Sequence, residues 1–344
     1  MNQNKENEYL VDVQSYFTNK CITSARSTSL HEDNTMKFSR NKNLFEQKQQ
    51  ENEKELKKKW SDIAKDWQRN KRDVKVFQLA EFGIPISARK QIWPLIVGNK
   101  LQITKELYNI LQIQSKTFKM DSRKPLGRLS SFNHIKQDLG RTFKNESLQK
   151  IFHPGGPLSE NLQTILEVFC LYRPDIGYVQ GMTYVGSILL TYFDDYQAFV
   201  IFSSLITHPQ LISIFMLDEQ NLQIIFQQFE KLIKLNIPQV YKLFKQYNIN
   251  CTNYLLDWIL TLYAKPLNPD IVGRIWDRML FNGTHILWKC GIAILKILAP
   301  KFKDQEKTLQ SLKNPDIKDD DLLQEMKSVN YPFEIQEVLG NIEL

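Results

Sequence analysis

The sequence predicts an all-α protein, and three observations carry that expectation. From about residue 56 onward apolar residues recur at three- and four-residue intervals, and no alternating strand series interrupts them. The 13 glycines and 13 prolines fall largely between the periodic segments, as in HPGGPL and KPLNPD. The expected architecture is a single large irregular helical domain of two lobes, residues 56–340, behind a disordered polar tail, residues 1–55.

The tail is expected because Asn, Gln, Ser, Thr, Lys and Glu dominate it and its few aliphatic residues cannot offset the entropy of ordering the chain. QKQQENEKELKKKWSDIAKDW follows, with Trp60, Ile63 and Trp67 at helical spacing. It reads as an amphipathic helix whose Lys57 to Lys59 run faces solvent. LSENLQTILEVFCLY places Leu162, Ile165, Leu166 and Phe169 on one stripe, with Ser159 as its expected N-cap. LDEQNLQIIFQQFEKLIKL repeats the stripe with Leu222, Ile225, Phe226, Phe229, Leu232 and Ile233. THILWKCGIAILKIL opens on an expected Thr284 cap and offers Ile286, Leu287, Ile294 and Leu298 for burial. No signature repeats at a period of about 30 to 45 residues, which argues against a solenoid.

Composition excludes several classes. A chain of 344 residues with 42% hydrophobic and 24% charged content can bury a sizeable core. The net charge of +7 is spread among 38 acidic residues, so no segment announces nucleic-acid binding. Cys21, Cys170, Cys251 and Cys290 are far apart, with no CxxC pair and no histidine at ligand spacing, so reduced core cysteines are expected and a metal is not. The longest apolar runs, MTYVGSILLTYF and ILWKCGIAILKILA, are too short or carry lysines, and the N-terminus lacks a signal-peptide core. A cytoplasmic protein without a transmembrane segment is expected.

Two constellations can carry chemistry. In FNHIKQDLGRTFKN, Ile135, Asp138 and Arg141 recur every third residue, so on a helical turn the carboxylate of Asp138 can aim the guanidinium of Arg141. The same spacing is also that of an ordinary surface ion pair, worth about 0 to 1 kcal/mol. In GYVQGM, Gly177 and Gly181 flank Tyr178, Val179 and Gln180. The glycines suggest special backbone angles, and Tyr178 is a rigid neighbour able to orient an amide. A glutamine side chain both donates and accepts hydrogen bonds, so it can position a water without being acid or base. A capped helix start would explain that glutamine equally well.

Taken together, an oriented arginine and a presented glutamine form the pair that GTP hydrolysis needs, one neutralising phosphate charge and the other aligning water. No GxxxxGK(S/T) loop occurs, so the chain is expected to lend both groups to another protein's nucleotide.

At these residues the sequence resembles the TBC-domain GTPase-activating proteins that act on Rab GTPases. IKQDLGRTF is similar to that family's IxxDxxR arginine-finger motif, and YVQGM to its YxQG glutamine-finger motif. FGIPISARKQIWPLIVGN and LLDWILTLYAKPLNPDIVGRIWDRMLFNGTHILWKCGIAIL extend the resemblance over about residues 75–325. The resemblance implies Arg141 and Gln180 as catalytic residues, with Asp138 holding the arginine and Tyr178 and Gly181 shaping the glutamine loop. Ile135, Thr142, Phe143, Val179 and Met182 are expected to meet the partner. That partner is a GTP-bound Rab-family GTPase, with GTP and Mg²⁺ belonging to it and no cofactor of the chain's own. The implied role is in vesicle and membrane traffic, with peripheral recruitment to endomembranes through the Rab. The alternative is a catalytically silent Rab-binding scaffold. Lys144 stands where proline commonly follows RTF, and Val179 where cysteine is commonest. Arg89, Trp93, Trp258, Trp276 and Asp277 also match family positions and are assigned to packing.

Overall fold

A computed structural model describes residues 53–81, 83–120, 126–141 and 146–339, and among them the regular elements are helical, with no strand. Residues 1–52 of the expected tail, Cys21 among them, lie outside the described residues, whereas residues 53–55, expected to close the tail, are helical and open the first helix. The chain divides at Ile96 and Val97 into two compact units.

The first unit contains α1 (53–65), a four-residue turn Trp67–Asn70, α2 (Val74–Glu81) and α3 (Ile86–Val97), whose last residue opens the second unit. The amphipathic helix expected here stops at a turn at Asp66, so Trp60 and Trp67 sit on separate pieces. Trp60 is fully buried, and Trp67 is half-buried. Arg89 and Trp93, one turn apart, are both buried, with the Arg89 guanidinium carbon 5.7 Å from the Trp93 ring centre.

The second unit runs through α4 (Lys105–Met120), α5 (Leu126–Leu139), α6 (Glu146–Phe152), α7 (Ser159–Tyr172), α8 (Met182–Leu190), α9 (Asp195–Ile206), α10 (Glu219–Asn236), α11 (Pro238–Gln246), α12 (Leu255–Leu260), α13 (Pro269–Asn282), α14 (His285–Leu298), α15 (Gln305–Lys313), α16 (Asp319–Ser328) and α17 (Phe333–Leu339). Two helices organise it. α7 packs against α4, α5, α6, α8 and α9, whereas α14 packs against α10, α12, α13, α15, α16 and α17. Both are apolar around most of their circumference, as a helix with neighbours on every side must be. The buried stripes match the expected ones, except that Phe226 is only half-buried.

The two caps read from the sequence are not formed. Leu158 holds the N-cap position of α7, so Ser159 is already inside the helix. Thr284 has helical backbone angles, makes no cap bond, and gives its hydroxyl to the Gln210 side chain instead. In contrast, Asp194, Asp218 and Asp304 cap α9, α10 and α15 by accepting a backbone N–H three residues on. Cys170, Cys251 and Cys290 are buried free thiols, and burial pushes the first two up to about 12.

Tryptophan ring N–H groups tie the core to backbone carbonyls. Trp258 donates to Leu312 at 3.1 Å, Trp276 to Leu262 at 2.9 Å and Trp288 to Leu339 at 3.1 Å. The carbonyl of Leu262 belongs to a tight turn after α12 in which Leu262 (φ 45°) and Tyr263 (φ 66°) are both left-handed. Such a conformation costs a non-glycine residue about 1–2 kcal/mol, and burial of both side chains offsets it. Tyr263 reaches across to α14 and donates its hydroxyl to the Leu287 carbonyl at 2.7 Å.

The approach of Tyr263 to α14 requires Gly291, where a Cβ would stand 2.8 Å from Tyr263 Oη and 2.9 Å from Phe229 Cζ. Neither neighbour can swing away, one being hydrogen-bonded and the other buried. Gly291→Ala is therefore expected to lower stability by about 1–3 kcal/mol. Urea unfolding checks this, and a midpoint equal to the parent's contradicts it.

Candidate functional site

The site is built where α5 ends and α8 begins. α5 presents His134, Gln137 and Asp138 on one face, and its last turn closes when the Arg141 N–H donates to the Asp138 carbonyl at 3.0 Å. Asp138 is 4% exposed, whereas the Arg141 side chain is 64% exposed, so a buried anion holds a solvent-facing cation. Arg141 Nε and Nη2 both donate to Asp138 Oδ1, at 2.9 and 2.6 Å. Nη1 makes no hydrogen bond among the described residues and remains for a ligand. The same bonds raise the Arg141 pKa further, keeping the group charged.

The other oxygen of Asp138 belongs to the second motif. Tyr178 donates its hydroxyl to Asp138 Oδ2 at 2.6 Å, joining positions 40 residues apart. Burial and the neighbouring carboxylate push the Tyr178 phenol well above its ordinary pKa, so it stays a donor. Sequence reasoning assigned Tyr178 to orienting the amide of Gln180. Its hydroxyl instead buttresses the carboxylate that holds Arg141.

Gln180 lies in the connection between α7 and α8, which is braced from within. Arg173 Nε and Nη2 donate to the two carboxylate oxygens of Asp175 at 2.9 and 2.6 Å, and the Gly177 N–H donates to the Arg173 carbonyl at 2.9 Å. Gly177 (φ 65°) and Gly181 (φ 108°) take the left-handed angles that the two flanking glycines suggested. Gly181 is the N-cap of α8, and Gln180 stands just outside it, exposed, with its amide unbonded among the described residues. A helix-start role would have tied that amide to backbone.

His134, Gln137, Asp138, Arg141, Tyr178 and Gln180 together line one cleft of about 330 Å³. His134 and Gln137 were not singled out from the sequence, although their spacing to Asp138 and Arg141 on a helix would have placed them there. Ile135, Val179 and Met182, expected at the partner surface, are instead buried, at 0%, 8% and 1% exposure. None of them lines the cleft, and Met182 Sδ accepts the Val179 N–H at 3.4 Å. Thr142, Phe143 and Lys144 lie outside the described residues. Among the described residues nothing demands glycine at 140, where a Cβ would make only an ordinary 3.6 Å contact with the Gln137 carbonyl.

The cleft thus offers a fixed positive charge and an uncommitted amide, while its one carboxylate is committed to Arg141 and Tyr178. Such a lining suits an anion whose charge grows during reaction. The sequence profile of the Rab-GTPase-TBC domain matches residues 86–303, which include every lining residue. The chain belongs to the Rab-GTPase-TBC domain family. This TBC domain is 34% identical over 248 residues to TBC1 domain family member 12 of Rattus norvegicus, covering 69% of the chain and 35% of that protein. It is 35% identical over 251 residues to TBC1 domain family member 14 of Homo sapiens, covering 69% and 36%. The chain therefore spans about a third of the length of these relatives. The fold is shared with the Chlamydomonas flagellar RabGAP TBC domain, at a TM-score of 0.60 and 19% identity over 80% of this chain and 94% of that one. Among the described residues no helix is long and apolar enough to cross a membrane.

Removing the Tyr178 hydroxyl leaves Asp138 Oδ2 without that donor in a buried setting. Tyr178→Phe is expected to cost about 1.5–3 kcal/mol of stability, the worth of a hydrogen bond to a charged group. Guanidinium unfolding measures it, and a loss below about 0.5 kcal/mol would show that the bridge carries no weight.

Proposed function

We propose that this TBC domain accelerates GTP hydrolysis by a Rab-family GTPase, lending it Arg141 and Gln180 in trans. The observation that carries the reading is the pair of unspent groups at one cleft, Arg141 charged and aimed by a buried carboxylate, Gln180 exposed on a glycine-framed turn. GTP and Mg²⁺ belong to the partner. When the partner docks over the cleft, the free Nη1 of Arg141 meets charge developing on the transferring phosphoryl group. The Gln180 amide aligns the attacking water by accepting from it, replacing the GTPase's own glutamine.

The energetics favour a pre-aimed arginine. A guanidinium held by Asp138 loses little rotamer freedom on docking, so more of its interaction appears at the transition state. An arginine supplied to a GTPase is worth about 10³- to 10⁵-fold in rate, or roughly 4 to 7 kcal/mol of barrier. Action on a Rab places the chain in membrane traffic, on the cytoplasmic face of the membrane that carries its Rab.

A panel of GTP-loaded Rab proteins, assayed by single-turnover hydrolysis with binding measured in parallel, tests the proposal. A responsive Rab is expected, with Arg141→Ala lowering its stimulated rate by about 10³-fold. Gln180→Ala should lower it by about 10²-fold or more. Binding without stimulation across the panel would favour a silent scaffold, and full activity in both variants would refute the finger assignment.

A further inference from the structure

We propose that Thr261 is a positioning residue for Gln180, its γ-methyl setting how far the glutamine turn projects into the cleft. The inference rests on the reading of Gln180 as the water-aligning group. Its basis is a contact between the glutamine turn and the strained turn after α12.

Gly181 is buried, and a Cβ on it would stand 3.0 Å from Thr261 Cγ2 and 3.6 Å from the Leu260 carbonyl oxygen. The residue directly after Gln180 is thus pressed against the end of α12. Thr261 is fully buried and cannot rotate freely, because Oγ1 donates to the Asp257 carbonyl at 2.8 Å and is 3.2 Å from that of Trp258. Those bonds fix the side-chain torsion and aim the methyl at Gly181.

The support behind Thr261 is equally constrained. Leu262 and Tyr263 hold left-handed angles that unsupported residues would relax. The Trp276 ring N–H on the Leu262 carbonyl, the Tyr263 hydroxyl on the Leu287 carbonyl and the Tyr263 N–H on the Trp258 carbonyl (2.8 Å) keep them there. Strain retained in a turn that abuts a functional loop, and held by α13 and α14, is the arrangement expected of a preorganising element. Arg141 is aimed by Asp138, and Thr261 does the corresponding work for Gln180 through packing.

The two functional parts of Thr261 can be separated. Thr261→Ser keeps the hydroxyl and removes the methyl, whereas Thr261→Val keeps a methyl toward Gly181 and removes the hydroxyl. With the full chain and the most responsive GTP-loaded Rab of a panel, Thr261→Ser is expected to lower the saturating single-turnover rate about 10-fold. That is less than the ~10²-fold that a whole ångström of misplacement costs. Its half-saturating concentration should change by less than about 2-fold, since docking is untouched. Thr261→Val should stay within about 2-fold of the parent on both measures, and in a Gln180→Ala background Thr261→Ser should add less than about 2-fold. Hydrogen exchange at residues 177–182 should quicken in Thr261→Ser and not in Thr261→Val. A parent-like rate in Thr261→Ser, a poorer Thr261→Val than Thr261→Ser, or an equal loss in the Gln180→Ala background overturns the proposal. Full activity of Gln180→Ala alone refutes the glutamine finger, while the exchange comparison still decides whether Thr261 holds the turn.

Discussion

The carboxylate of Asp138 is the interaction on which the site depends. Being buried, it draws its donors from within the protein, and each motif supplies one of them. Oδ1 takes Arg141 from the end of α5, and Oδ2 takes Tyr178 from the connection into α8. A buried charge paired this way resists displacement, because losing either partner removes part of what compensates its desolvation. The glutamine turn therefore cannot drift away from the arginine without breaking a bond to a buried anion. Two residues 40 positions apart become one rigid presentation.

The rest of the unit supplies the surfaces that hold α5, α8 and α12 in place. α7 packs against α5 and α8, and its contact with α8 is close because Gly186 faces it, where a Cβ would stand 2.8 Å from Leu162 Cδ1. α14 does the same for α12 and α13, with Gly291 admitting the Tyr263 ring. Gly186 lets α7 and α8 approach to a distance that alanine would prevent, and Gly291 does the same for the Tyr263 hydroxyl and the Phe229 ring against α14. Exposed polar groups in the cleft thus stand on buried, fully packed supports, which is what a site working by preorganised charge needs.

Much of this was legible in the sequence, for physical reasons that can be named. Leu162, Ile165, Leu166 and Phe169 reveal α7 because burial on one face imposes helical periodicity. Asp138 and Arg141 were readable as a pair because their spacing is local. The Tyr178 to Asp138 bond was not, since nothing in spacing tells which distant hydroxyl meets a carboxylate. Caps at Ser159 and Thr284 do not form because a cap needs non-helical backbone angles at the capping residue itself, whereas Ser159 lies inside its helix and Thr284 has helical angles and gives its hydroxyl to Gln210. Ile135, Val179 and Met182 sit beside site residues in the chain yet are buried, since an apolar side chain gains more from leaving water than from lining a polar cleft. Thr261 carried no motif at all; its relevance arises only where α12 meets the glutamine turn.

The central claim is that the water-aligning amide comes from this chain and not from the GTPase. It is tested most directly with a responsive Rab whose own catalytic glutamine is replaced by leucine, so that the GTPase can no longer align water itself. Single-turnover hydrolysis is then followed with the parent chain and with Gln180→Ala. The account predicts that the parent still stimulates this Rab strongly and that Gln180→Ala does not. Loss of stimulation by the parent, with binding preserved, would contradict it.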